Sequence, residues 1–326
     1  MVRDLHPLAC LLARKDLVLR RRVCLKKWEF FRLSCALQQR LTVDSEHPAC
    51  ACPSLAPVQT IAVIGGKGGI GVTNVAVNLA VAMGGAGHKV LLMDGDLSLG
   101  NIDCLLDLKP QQTLTDVMQG QCELADILVS GPKGVSVIPS SNGDMEMSRL
   151  SQFEHARLVS LFSDMGSDAD ALVIDVESGL TDSAVFLAQA AREVVVVVCD
   201  EPTAIRDALT TIRVLSESSC VRRFRIVANQ TDSAQHGLDL YAKLTRHADR
   251  HLDVLLDFCG SIPFDPQLKS SVGQRSSVVD AFPRSPAALA FQKLAKRVDR
   301  WPRPVTPAGH IEFFVERLVQ TASYTW

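Results

Sequence analysis

The sequence predicts an α/β domain, a mostly parallel twisted sheet flanked by helices on both faces. Three observations carry that reading. Short apolar, β-branched runs recur along the chain at Thr60–Ile64, Lys89–Met93, Val135–Pro139, Ala171–Val176, Val194–Cys199, Phe224–Asn229 and Phe258–Ile262. Helical stretches lie between most of them, so strand and helix alternate. The runs are continuously apolar, the pattern of strands buried on both faces. At 326 residues, 47% apolar and 21% charged, the chain suits one large domain with appendages.

The appendages show first as a charge imbalance. Residues 1–57 hold ten Lys/Arg against five Asp/Glu, a net of +5, which leaves −7 on the remainder of a chain whose total is −2. The acidic body argues against a large DNA-coating surface, and direct DNA binding is not expected. Within 1–57, Arg20–Trp28 is basic with interleaved apolar residues, a composition able to meet lipid or nucleic acid. The segment otherwise lacks pattern and reads as a disordered extension or as translated sequence upstream of the true start. Leu8–Ala13 is too short for a signal-peptide core, and no apolar run approaches the ~18 residues of a membrane span. Cys50 and Cys52 form a lone C-x-C without a second pair, so the ten cysteines read as those of a reduced, cytoplasmic chain.

The body, 58–300, opens on a phosphate-binding pattern. Gly65–Asn74 reads GGKGGIGVTN, against G-x-x-x-x-G-K-[ST]. Gly66, Gly71 and Thr73 fit, but Val72 stands where the lysine belongs. The context confirms the loop: the TIAVI strand precedes it, and the Ala-rich helical run Thr73–Met83 follows. Gly66, Gly68, Gly69 and Gly71 let backbone N–H groups point into one concavity, and the helix N-terminus adds its dipole.

Ligands of parallel sheets sit at the carboxyl ends of the strands. Three motifs fall there: Asp94-Gly95-Asp96, running on to Asn101; Asp175, followed by Val176-Glu177-Ser178-Gly179-Leu180; and Cys199–Thr203 together with Asn229. Carboxylates in that position beside a phosphate loop handle Mg²⁺ and an attacking water. The competing role for a lone Asp at a strand-to-helix turn is helix capping; Asp96 and Asp175 beside the loop favour the metal and water roles.

With Lys67 ahead of the glycines, KGGIG resembles the deviant Walker A loop of the MinD/ParA ATPases. DGDLSLGNIDCLLDL, CDEPTAIRDA, AFPRSPAALAFQKLAKRVDRWPRP and HIEFFVERLVQ resemble the flagellar-number branch, FleN/FlhG/YlxH, over roughly Val58 to Gln320. The resemblance implies an ATP- and Mg²⁺-dependent homodimer with ATP between facing subunits. It implies that Lys67 reaches across to the partner's phosphates, Thr73 binds Mg²⁺, Asp96 activates water and Asp175 holds Mg²⁺ through water. Asn74 falls within the implied nucleotide-binding loop, Gly179 at a γ-phosphate contact and Asn229 at an adenine contact, while the Ser261–Asp265 loop with Pro263 borders the base. It further implies restraint of a FleQ-type transcription activator, work with the FlhF GTPase, and a place at the inner membrane or cell pole.

Two departures bear on activity. Val72 removes the charge on the β- and γ-phosphates, a hydrogen bond worth about 1.5–3 kcal/mol. Glu177 adds a carboxylate where the family usually has small residues. The expectation is a flagellar regulator with impaired ATP hydrolysis. The alternatives are a fully active dimer switch of the MinD type, with Lys67 compensating, and a DNA-partitioning ParA-like protein.

The last segment, 301–326, reads as a Pro-rich linker and an amphipathic helix over Ile311–Gln320. Ile311, Phe314, Val315, Leu318 and Val319 share one face. The family role is membrane contact. The polar face, with Glu312 and Glu316 against Arg317, lacks the cations of such helices and also fits docking on the body or on a partner.

Overall fold

The computed structural model describes residues 58–302, apart from 98–99, 141–149, 152–153, 155–156, 159–160, 163–168 and 219–220. The 1–57 extension, with its basic segment and C-x-C, and the Ile311–Gln320 segment lie outside the described residues. One eight-stranded sheet organises the body. Its strands are β1 (Gln59–Gly65), β2 (Val90–Asp94), β3 (Val129–Ser130), β4 (Ser136–Ile138), β5 (Ala171–Asp175), β6 (Glu193–Val198), β7 (Arg223–Thr231) and β8 (Leu255–Pro263), in the order β3-β4-β2-β5-β1-β6-β7-β8. Every neighbouring pair is parallel except β3–β4.

All seven strands read from the sequence are present, and the sheet is parallel and covered on both faces as expected. Two details differ. β3 is an antiparallel edge strand of two residues, too short to leave an apolar pattern. β8 begins three residues before the apolar run, because it is an edge strand whose polar Asp257 interrupts the pattern; its pairing with β7 shifts register around Gly260.

The helices that matter here are α1 (Val72–Gly85), α2 (Asp182–Ala190), α3 (Pro202–Ser218), α4 (Ala234–His251), α5 (Pro266–Gly273) and α6 (Pro286–Val298). Strand periodicity divides the core between the two faces. Ile61 and Val63 of β1 point to the layer of α1 and α6, with Val75, Leu79, Phe291 and Leu294. Ala62 and Ile64 point to the layer of α2, α3 and α4, with Leu187, Ile212 and Leu244. Side-chain oxygens cap the helices where the chain enters them: Thr181 for α2, Ser233 for α4, Asp265 for α5 and Ser285 for α6. No helix among the described residues is long and apolar enough to cross a membrane.

Trp301, which the sequence groups with the linker, is buried in the α1–α6 layer. Its ring lies under the Arg225 guanidinium, 4.6 Å from the centroid. Arg225 is itself buried and bonds Glu193 at 2.7 Å and Asp257 at 2.7 Å. The domain therefore runs through Trp301. Trp301→Ala should lower stability by about 3–5 kcal/mol, as for other buried aromatic truncations, read as a drop in denaturation midpoint; an unchanged midpoint would mean the ring is not part of the core.

Candidate functional site

Five strand ends build the site. β1 delivers the glycine loop, β2 Asp94, β5 Asp175, β6 the Cys199–Glu201 turn and β7 Asn229. The parallel register places Asp94 beside Asp175 and Asp175 beside Val63, so both carboxyls stand next to the loop.

The loop is held from behind. A Cβ at Gly66 would lie 2.2 Å from the Asp207 carbonyl carbon, so α3 packs directly on the loop. Gly71 caps α1 with φ 90°, and a Cβ there would meet the Asn229 amide nitrogen at 2.7 Å. That nitrogen donates to the Ile70 carbonyl at 2.7 Å. Asn229, expected at adenine, thus buttresses the loop. At Gly68 and Gly69 a Cβ would meet nothing within 4 Å. No side chain caps the first N–H groups of α1 and no acidic residue stands in its first turn, as an anion site at a helix N-terminus requires.

Val72 is the first residue of α1. It is buried in the α1–α6 core with Ile70 and Val75, and its Cγ2 would lie 2.6 Å from a Cβ on Gly65. Lys67 is engaged within the chain: its Nζ is 2.6 Å from Glu201 Oε2 and 3.4 Å from Thr203 Oγ1. The hydrogen bond and charge of Glu201 raise its pKa.

The carboxylates gather opposite. Asp94 is buried and accepts the backbone N–H groups of Asn101 (2.7 Å), Ile102 (3.0 Å) and Asp96 (3.2 Å). Burial outweighs these three bonds and pushes its pKa up to about 7. Burial also raises Asp175 well above the usual carboxylate range; neighbouring Asp94 adds to the shift, and a hydrogen bond from Thr73 opposes it. Its Oδ1 is buried without a partner, which fits a hydrated cation held from the side of Thr73. Glu177 is raised by burial, against a bond from the Thr181 hydroxyl, with Asp96 adding to the rise. Asp96 is half-buried within reach of all three.

The cradle thus fits a nucleotide with Mg²⁺ in shape and in its metal-side donors. Asp94, Asp96, Asp175 and Glu177 lie together on that metal side, and the usual lysine position of the loop is the apolar Val72.

Other expected residues fall as follows. Asn74 lies in the first turn of α1, its Oδ1 buried without a partner. Gly179 has φ 124° in the turn after β5. Pro263 ends β8 and lines a cavity at the sheet edge. Sequence reasoning left two residues without a role. Asp94 was legible from its place two residues before Asp96. Glu201, paired with Lys67 from 134 positions away, leaves no local signal.

These features define a P-loop NTPase of the deviant-lysine class. The chain belongs to the ParA family, whose pattern, described as NUBPL iron-transfer P-loop NTPase, matches residues 57–299. Antiactivator FleN of Pseudomonas aeruginosa is 51% identical over 267 residues, covering 82% of this chain and 95% of that protein. Flagellum site-determining protein YlxH of Helicobacter pylori is 26% identical, covering 72% and 80%. Among solved structures, septum site-determining protein MinD of Pyrococcus horikoshii, in complex with Mg-ADP, superposes with a TM-score of 0.61 at 26% identity, covering 74% and 96%.

Asp94 titrates near 7 in the folded chain and near 3.8 when unfolded. Between those values the folded state holds a proton that the unfolded state releases, so this contribution is fully present below the lower value and is lost as pH rises through 7. Without nucleotide or metal, stability should rise as pH falls from 8 to 5.5, with a slope approaching about 1.4 kcal/mol per pH unit. The raised Asp175 acts in the same direction. Asp94→Asn should flatten the profile, followed by calorimetric melting; an equally steep profile in that variant would place the titration elsewhere.

Proposed function

We propose that this chain regulates flagellar number and placement as an antiactivator that works through its folded surface, with nucleotide binding weakened and hydrolysis impaired. The observation that carries the second half is Val72 packed into the core near the carboxyl cluster of Asp94, Asp96, Asp175 and Glu177. The first half is supported by the FleN relative, aligned over most of both chains, and by the name of the YlxH relative. The partner is a transcription activator of the FleQ type, with the FlhF GTPase as a second contact. The active form is a homodimer, which Mg²⁺ and ATP would bridge by their charge.

In this reading Gly66, Gly68, Gly69 and Gly71 turn backbone N–H groups toward the phosphates, and Asn74 lies in the helical turn behind them. Thr73 and Asp175 hold Mg²⁺, the latter through water. Asp96 holds the water to be activated, and Gly179 meets the terminal phosphate. Asn229 contacts adenine besides fixing the loop through the Ile70 carbonyl, and Pro263 borders the base. Lys67 acts on the partner's phosphates only after leaving Glu201.

Loss of the Val72-position charge, about 1.5–3 kcal/mol, corresponds to roughly ten- to a hundred-fold in affinity. Calorimetry of the full chain with ATP and Mg²⁺ should therefore show binding tightened by about that factor in Val72→Lys, and Glu177→Ala should add to it. Restraint of a FleQ-type activator should be the same in the natural chain and in Val72→Lys. Equal micromolar binding in both would defeat the reading. It would favour an active switch, which the retained Asp94–Asp96–Asp175 set supports, and phosphate release would then match ordinary family members.

A further inference from the structure

The turn that follows β5 is tied at both ends but forms no helix or strand of its own. At its start the Val176 N–H donates to the Val63 carbonyl at 2.9 Å, which pins the chain to β1. At its end Thr181 caps α2: its hydroxyl oxygen accepts the Ala184 N–H at 3.1 Å, and its carbonyl accepts the Val185 N–H at 3.0 Å. Between these ties the chain bends through Gly179, whose φ of 124° suits glycine alone. A Cβ on Gly179 would meet nothing within 4 Å, and Leu180 beside it is 40% exposed. Ordering such a turn costs conformational entropy at every residue, and packing at its apex offers little in return.

A side-chain bond crosses the turn. The Thr181 hydroxyl donates to the Glu177 carboxylate, four positions back. The same hydroxyl oxygen holds the Ala184 N–H, so the carboxylate is joined through it to the N-terminus of α2. We propose that this bond fastens the turn in the absence of nucleotide. Glu177 then does from within the chain what a terminal phosphate at Gly179 would otherwise do. The inference rests on the reading that the site keeps the shape of a nucleotide site but binds ATP weakly. A turn already ordered gains little further order from a ligand. Its state is therefore uncoupled from ATP, and Leu180 and the start of α2 keep one position whether or not the site is filled. A regulator that acts through its folded surface requires this. Glu177 is a positioning residue here, acting through Thr181.

Hydrogen exchange of the full chain tests this, first without nucleotide. Glu177→Ala leaves the Thr181 cap of α2 in place but removes the tie. It should speed exchange at Ala184 and Val185 by about ten-fold, the equivalent of one hydrogen bond to a carboxylate. Glu177→Gln, whose amide oxygen still accepts a hydrogen bond, should keep most of the protection. Exchange in β1 and β6 should be the same in all three chains, which checks that the fold is intact. Unchanged exchange at Ala184 and Val185 in Glu177→Ala would overturn the proposal. So would a Glu177→Gln chain as fast as Glu177→Ala, which would assign the effect to charge rather than to the bond. ATP and Mg²⁺ give a second arm, read in Val72→Lys after calorimetry has shown that it binds. They should leave these two amides unchanged in Val72→Lys and slow them about ten-fold once Glu177→Ala is added. Slowing of that size in Val72→Lys alone would also overturn the proposal. If Val72→Lys gains no affinity for ATP, the reading of the nucleotide site fails, and the nucleotide-free arm still decides the role of the bond.

Discussion

The parallel register of β2 on β5 sets the carboxyls of Asp94 and Asp175 side by side under the glycine loop, both out of water. Two buried carboxylates cannot both ionise cheaply. One remedy is a cation with its phosphate ligand; another is a proton. Backbone donors from Asp96, Asn101 and Ile102 soften the burial of Asp94 without cancelling it. Asp175 keeps one oxygen without a partner. The rest of the site follows from that pair: α1 begins beside it, Thr73 bonds it, and the turn carrying Glu177 leaves from it.

The same arrangement explains why Val72 matters beyond one lost contact. At a lysine position the side chain would offset the carboxyls and the phosphates together. Valine instead joins Ile70 and Val75 in the core, so it stabilises the start of α1 while leaving the acidic side uncompensated. Glu177 adds to that side. The remaining loop cation, Lys67, is paired with Glu201. The start of α1 is thus held by apolar packing.

The opposite end of the sheet shows a second fixed point. Arg225, Glu193 and Asp257 come from three adjacent strands, and Trp301 lies on the guanidinium. A buried ion pair of this kind is weak evidence for stability, but breaking it leaves a charge stranded. Its position fixes Trp301 near the end of the described residues.

The sequence by itself determined the α/β class, all seven parallel strands and the place of the loop, because strands buried on both faces leave continuous β-branched runs and a glycine loop has a fixed spacing. It also exposed Val72 and Glu177, since each breaks a short pattern. It did not reveal β3, whose two residues are too few for a period, or the full length of β8, whose edge position tolerates polar residues. Only the tertiary structure decided that Asp94 is buried beside Asp175, that Asn229 and Lys67 are engaged within the chain, and that Trp301 belongs to the core. Those facts rest on strand register and on contacts between residues dozens to more than a hundred positions apart, which local pattern does not encode.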